Sequence, residues 1–146
     1  IETDKDLALS DVKIEDGEIL NLEAILLELS KMKSTHVEGK MYAALIQKVN
    51  FTNAFSVAKR IQEKGMLPYG PFIRRGSNCS RFVATVIQSS GLSFIKKLRF
   101  KYPFCISPSP KRNVSITNHN YYIVENNNCI EVRKNKLQSY FCSIEQ

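Results

Sequence analysis

A glycine- and proline-rich run that ends on a cysteine constrains this chain more than any other stretch. It reads Gly65-Met-Leu-Pro-Tyr-Gly-Pro-Phe-Ile-Arg-Arg-Gly-Ser-Asn-Cys79 and continues as Ser-Arg-Phe-Val-Ala-Thr-Val-Ile87. Prolines and glycines at this density prevent regular structure up to Gly76. Ser77 or Asn78 can then cap a helix, because each offers a side-chain oxygen to the orphan N–H groups of a first turn. Phe82, Val83, Val86 and Ile87 follow at helical spacing, and Gly91 supplies the stop. Cys79 therefore falls at a helix N-terminus, where the positive end of the macrodipole favours thiolate over thiol. Arg74, Arg75 and Arg81 add positive charge nearby. That environment suits a nucleophilic cysteine, so a cysteine hydrolase is the first expectation. The competing reading is a packed residue, since cysteine is often buried as a small hydrophobe.

At 146 residues the chain reads as one domain over 1–146 that can bury a proper core. It opens on Ile1 and not on methionine, so a processed product or a fragment lacking an N-terminal portion is expected, and the compartment stays open. An apolar fraction of 43% beside 24% charged residues belongs to a globular protein. No apolar run approaches the length of a membrane span. The net charge of +7 is uneven: residues 1–58 balance to −4 and residues 59–146 to +11. The basic residues are scattered, which suits a solvated face pairing with the acidic half better than a nucleic-acid surface. No basic motif interleaved with aromatics points to nucleic acid.

The four cysteines are separated by 26, 24 and 13 residues, and the chain has two histidines. Zinc sites want paired close ligands, so no metal or other cofactor is expected. A Cys105–Cys129 or Cys129–Cys142 disulfide stays open if the protein is exported.

Ser10 to Leu20 alternates polar and apolar around Asp16-Gly17, a strand ending in a tight turn. Asn21 caps a helix with Leu22, Ile25, Leu26 and Leu29 on one stripe. Lys40 to Ile46 reads as a strand. Thr52 or Asn53 is expected to cap the next helix, with Ala54, Val57, Ala58 and Ile61 inward and Gly65 as its stop. Leu92 to Phe100 reads as a short basic helix, and Pro103, Pro108 and Pro110 impose an extended loop. Tyr121–Glu125 and Cys129–Arg133 flank Asn126-Asn-Asn128 as a hairpin with left-handed asparagines. Strands on both sides of the helices make an α+β chain, not a doubly wound α/β sheet.

Gly65, Pro68, Tyr69, Gly76, Cys79, Ser80, Phe82 and Val83 also match a known pattern. The segment resembles the nucleophile stretch of NlpC-type papain-like cysteine hydrolases, and Ala54 to Lys64 resembles the lead-in helix of their circularly permuted branch. The likeness covers residues 52–91. It implies a papain-like α+β fold with a nucleophile helix packed on an antiparallel sheet. Cys79 would be the nucleophile, and Tyr69 would line the cleft with its hydroxyl near the thiol. Asn78, Ser80 and Arg81 would lie against substrate, a cell-wall peptide or a lipid acyl group. Asn78 stands where many members carry aspartate, and Arg81 where many carry glycine.

Such an enzyme needs a base, normally an imidazole. His119 precedes a strand, as in the ordinary order of the family, with Glu131 twelve residues on as a polar orienting residue. His36 precedes the cysteine, as the permuted order requires. A further possibility stands beside these two. In the permuted branch the histidine opens a strand further upstream of the cysteine than His36, and a chain that begins without methionine is open to having lost that strand. The rival class is a catalytically inactive binding module that kept the cleft and lost the base. Oligomeric state is open on this reading.

Overall fold

A computed structural model describes residues 9–32, 39–65, 67–70, 73, 76–103, 105 and 109–144. The chain is a mixed α+β protein with six helices and two antiparallel sheets among the described residues. It resolves into two compact units, Ile1–Ala43 with Tyr121–Val132, and Ala44–Asn120 with Arg133–Gln146.

The first unit opens on β1 (Ile14–Glu15) and β2 (Glu18–Ile19), paired as a hairpin in which Ile14 faces Ile19. Asp16 and Gly17 both take positive φ, 49° and 81°, the turn expected of an Asp-Gly pair. Helix α1 (Leu22–Lys31) follows. Asn21 stands at its N-cap position, yet its side chain bonds backwards: Oδ1 accepts from the Lys13 N–H and Nδ2 donates to the Asp11 carbonyl, both at 2.9 Å. The residue thus ties the helix to the hairpin and does not cap it. Strand β3 (Met41–Ala43) stops three residues short of the expected Ile46. It pairs antiparallel with β4 (Asn120–Glu125), Met41 opposite Val124, and β4 pairs in turn with β5 (Asn128–Arg133). Asn126 and Asn127, at φ 51° and 60°, make the expected left-handed turn between β4 and β5. Leu26, Met41 and Val124 form the core of this unit, with Leu22, Leu29, Tyr122 and Cys129 packed around them.

The second unit is helical. Helix α2 (Phe51–Glu63) is capped by Asn50, whose side chain accepts from the Asn53 N–H at 2.9 Å. The cap is therefore neither Thr52 nor Asn53: Asn50 wins because its own N–H also reaches the Ser90 carbonyl at 2.6 Å. Ala54, Val57, Ala58 and Ile61 form the half-buried stripe, and Gly65 ends the turn at φ 69°. Helix α3 (Cys79–Ser89) packs on α2, on α4 (Phe94–Lys101) and on α5 (Pro110–Thr117). Its buried face carries Ser80 and Ala84, with Ile87 beside them, while Phe82 and Val83 are exposed. Small residues at 80 and 84 let α5 come close, and that decides the rotation of α3 over bulk hydrophobicity.

The largest departure from the sequence reading is α5 itself, in the stretch expected to be an extended loop. Ser109 caps it, accepting from the Arg112 N–H at 3.1 Å, and Pro110 occupies the first turn, where a missing N–H costs nothing. A sixth helix, α6 (Lys136–Phe141), is closed by a capping box between Asn135 and Gln138. Ala84, Leu92, Phe100 and Ile116 form the core of the unit, with Ile46, Ile87 and Tyr140 against it.

Ile116 is fully buried at its centre. Replacing it with alanine removes three methyl or methylene groups from a packed site, and urea denaturation should show a loss of about 2–5 kcal/mol.

Candidate functional site

Cys79 is the first residue of α3 and is exposed. The helix start is built by Asn78, in extended conformation, whose Oδ1 accepts from the Arg81 N–H at 2.8 Å. One orphan donor of the first turn is thereby satisfied, and the remaining partial positive charge lies around the thiol.

The loop before the helix closes on itself. The Ser77 N–H donates to the Pro68 carbonyl at 2.8 Å, and the Gly70 N–H donates to the Ser77 carbonyl at 3.1 Å, a short parallel bridge between Tyr69 and Ser77. Gly76 is required where the strands of this loop meet: a Cβ there would lie 2.7 Å from the Pro68 oxygen. The bridge brings the Tyr69 hydroxyl to 3.9 Å from Cys79 Sγ. Sulfur is a weak partner, so the contact is weak, but it is placed by backbone bonds and not by chance side-chain drift. Tyr69 is 71% exposed, leaving the pair open to solvent. The hydrogen bond to Cys79, then the negative charge Cys79 carries as a thiolate, holds the Tyr69 pKa above the usual phenol value. Tyr69 therefore stays a neutral O–H donor throughout the neutral range, able to donate to a thiolate or to an oxyanion.

Arg81 turns back onto the loop, its Nη1 donating to the carbonyls of Ile73 at 3.1 Å and Gly76 at 3.3 Å. Ser80 is buried, and its carbonyl accepts from Nδ2 of Asn113 on α5 at 2.8 Å. Asn113 is 4% exposed, and its Oδ1 is buried with no hydrogen-bond partner among the described residues. Nothing in the polar run Lys111-Arg-Asn113 marks Asn113 in the sequence, because its importance comes only from the approach of α5 to α3.

His119 is exposed, immediately before β4, and its carbonyl accepts from the Lys134 N–H at 2.8 Å. Among the described residues no hydrogen bond joins its imidazole to Cys79, and the sulfur lies instead against the Tyr69 hydroxyl. His36, Arg74 and Arg75 lie outside the described residues. All four cysteines are free thiols. Burial, then the Glu23 carboxylate, pushes the Cys129 thiol above its usual pKa. No group of His, Cys, Asp and Glu among the described residues is placed to hold a metal ion. A hollow of about 360 Å³ between α2 and α3, lined among others by Ile61, Leu67, Arg81 and Phe82, includes neither Cys79 nor Tyr69 among its described lining residues.

The elements so assembled define an α+β protein with a solvent-open cysteine on a capped helix start, faced by a neutral phenol. The chain belongs to the family described as Type VI secretion system effector TseH-like, whose profile matches residues 1–95. The matched stretch includes Tyr69 and Cys79 and ends as α4 begins. No curated protein and no solved structure matches the chain. No described helix is long and apolar enough to cross a membrane.

Two outcomes test this geometry. Asn113→Ala leaves the buried Ser80 carbonyl without its side-chain donor and should cost about 1–3 kcal/mol in urea denaturation. Phenolate absorbance, taken as the difference between the wild type and Tyr69→Phe, should show Tyr69 titrating above the usual range, and Cys79→Ala should bring it back down.

Proposed function

We propose that this chain is a cysteine hydrolase of papain-like fold, related to the permuted NlpC-type enzymes, with Cys79 as its nucleophile. The observation that carries the reading is the exposed Cys79 thiol at the capped start of α3, with the Tyr69 hydroxyl held beside it by the loop bridge. Membership of an effector family agrees with a protein that acts on a component of another cell.

In the reaction an imidazole takes the Cys79 proton, and Sγ forms a bond to the carbonyl carbon of an amide, ester or thioester. The carbonyl π pair moves onto oxygen, where the Cys79 N–H and the Tyr69 hydroxyl stabilise it. Collapse breaks the bond to the leaving group, which departs with the proton from the imidazolium. Water activated by the same imidazole then cleaves the thioester and regenerates the thiol. His119 is the proposed base, with His36 as the alternative that a permuted order requires. Asn78, Ser80 and Arg81 form the wall of the site by fixing the first turn and the loop against which substrate lies. Cell-wall peptides and lipid acyl groups are the substrate classes this reading admits.

Iodoacetamide labelling across pH, resolved by peptide mass spectrometry, tests the proposal. Below neutral pH Cys79 should label about tenfold faster than Cys105, the other exposed thiol. Cys129 should be slowest, because a raised pKa leaves less thiolate at any given pH. Slowing in His119→Ala or in His36→Ala names the base. Labelling of Cys79 no faster than of Cys105 would overturn the hydrolase and leave the inactive binding module.

A further inference from the structure

Helix α4, Phe94-Ile-Lys-Lys-Leu-Arg-Phe-Lys101, exposes apolar side chains that no described residue of its own unit covers. Phe94 is 78% exposed and Ile95 71%, with Leu98 and Tyr102 also open to solvent. At 100° per residue, Phe94, Leu98 and Tyr102 lie on one stripe, with Ile95 along its edge. Lys97 and Lys101 run beside the stripe and are exposed. From Phe94 to Tyr102 there are four cations and no carboxylate.

The rotation of this helix is fixed by its other side. Phe100 is buried in the core of the unit. Arg99 turns to α6, donating to Ser139 Oγ at 2.8 Å and the Lys136 carbonyl at 3.0 Å, with its guanidinium 5.2 Å from the Tyr140 ring. Tyr140 in turn donates from its hydroxyl to the Tyr102 carbonyl at 2.9 Å. With the inner face pinned in this way, Phe94, Ile95 and Leu98 cannot be turned inward without breaking these contacts. Their exposure is built in.

We infer that α4 is a docking face for the surface of an anionic lipid bilayer. Apolar side chains enter the boundary between headgroups and acyl chains, and the flanking lysines meet lipid phosphates. Tyr102 ends the stripe with an aromatic ring of the kind that settles at headgroup level. Charge complementarity chooses this occupant over the others. A nucleic acid would satisfy Lys97 and Lys101 but leave Ile95 and Leu98 in water. A second copy packed on the same face by a two-fold axis would set Lys97 and Lys101 against the same two lysines, with no carboxylate on the helix to offset them. This inference stands apart from the hydrolase reading, since it uses neither Cys79 nor a base.

The test is co-sedimentation of the full chain with large vesicles of phosphatidylcholine alone or mixed with phosphatidylglycerol, in low and in high salt. Binding should require phosphatidylglycerol and weaken as salt rises. Lys97→Glu should lower the partition coefficient by at least about fivefold. Phe94→Ser with Ile95→Ser should abolish binding while leaving far-UV circular dichroism unchanged, since both side chains are exposed. The chain has no tryptophan, so Phe94→Trp provides a single reporter whose emission should shift to the blue on vesicles and stay unshifted with a duplex oligonucleotide. Vesicle binding that survives the double serine change overturns the inference. So does association with the oligonucleotide but not with vesicles. Concentration-dependent dimerisation lost in the double serine variant, without vesicle binding, would give the face to a second copy instead.

Discussion

The helical unit depends on α5, a helix whose buried side chains are mostly polar. Arg112, Asn113, Ser115 and Thr117 are all buried along with Ile116. Burying such groups is costly unless each finds a partner. Here their donors go largely to carbonyl oxygens of the surrounding elements. Arg112, 4% exposed, donates from Nε to the Pro103 carbonyl at 2.8 Å and from Nη2 to the Tyr140 carbonyl. Ser115 reaches the Cys142 carbonyl at 2.8 Å, and Thr117 bonds back to Asn113 within the helix. Asn113 takes the Ser80 carbonyl on α3. Each bond specifies a position as well as contributing energy, because a buried donor has few acceptors to choose from. One short helix thereby sets α6, the 103 segment and the first turn of α3 in register.

That register reaches the candidate site through Ser80, the residue after Cys79. The helix start is held from three directions: by Asn78 as cap, by Arg81 gripping the loop carbonyls, and by Asn113 from α5. The loop is held separately, by the Tyr69–Ser77 bridge that Gly76 alone permits. A reactive thiol needs this kind of support, since its dipole environment and its distance from a donor both fail with small displacements. The contact between Tyr69 and Cys79 is weak in itself. Its placement is a consequence of bonds made elsewhere.

The parts legible from sequence were those with local causes. Asp16-Gly17 and Asn126-Asn127 take left-handed turns because those residues tolerate them, and Asn78 caps α3 because its side chain reaches the backbone N–H three residues ahead. The α+β composition followed from the order of such segments. What could not be read had non-local causes. Pro110 looked like a loop residue, although Pro after Ser109 is also a helix start, and Lys-Arg-Asn-Val-Ser-Ile-Thr carries too little apolar character to suggest a buried helix. Phe82 and Val83 looked like the inner face of α3, yet Ser80 and Ala84 hold it, since α5 needs small neighbours there. Asn50 took the cap of α2 through a bond to Ser90, forty residues away in the chain.

The basic half of the chain shows why net charge is a poor guide to a surface. Its excess of +11 does not lie in one place or do one thing. Arg99, Arg112 and Lys134 are turned toward backbone carbonyls, and burial lowers the pKa of Arg99 and of Lys134. These three act as multidentate donors that tie α4, α5 and the segment after α6 together, where neutral side chains could not reach as many acceptors. Lys97 and Lys101, by contrast, stay in water beside exposed apolar residues, where their stems extend the apolar face and their charges rim it. Burying some cations as internal fasteners removes them from the surface field. For Lys97 and Lys101 it is their position beside Phe94, Ile95 and Leu98, and not the number of cations in this half, that decides what the face can meet.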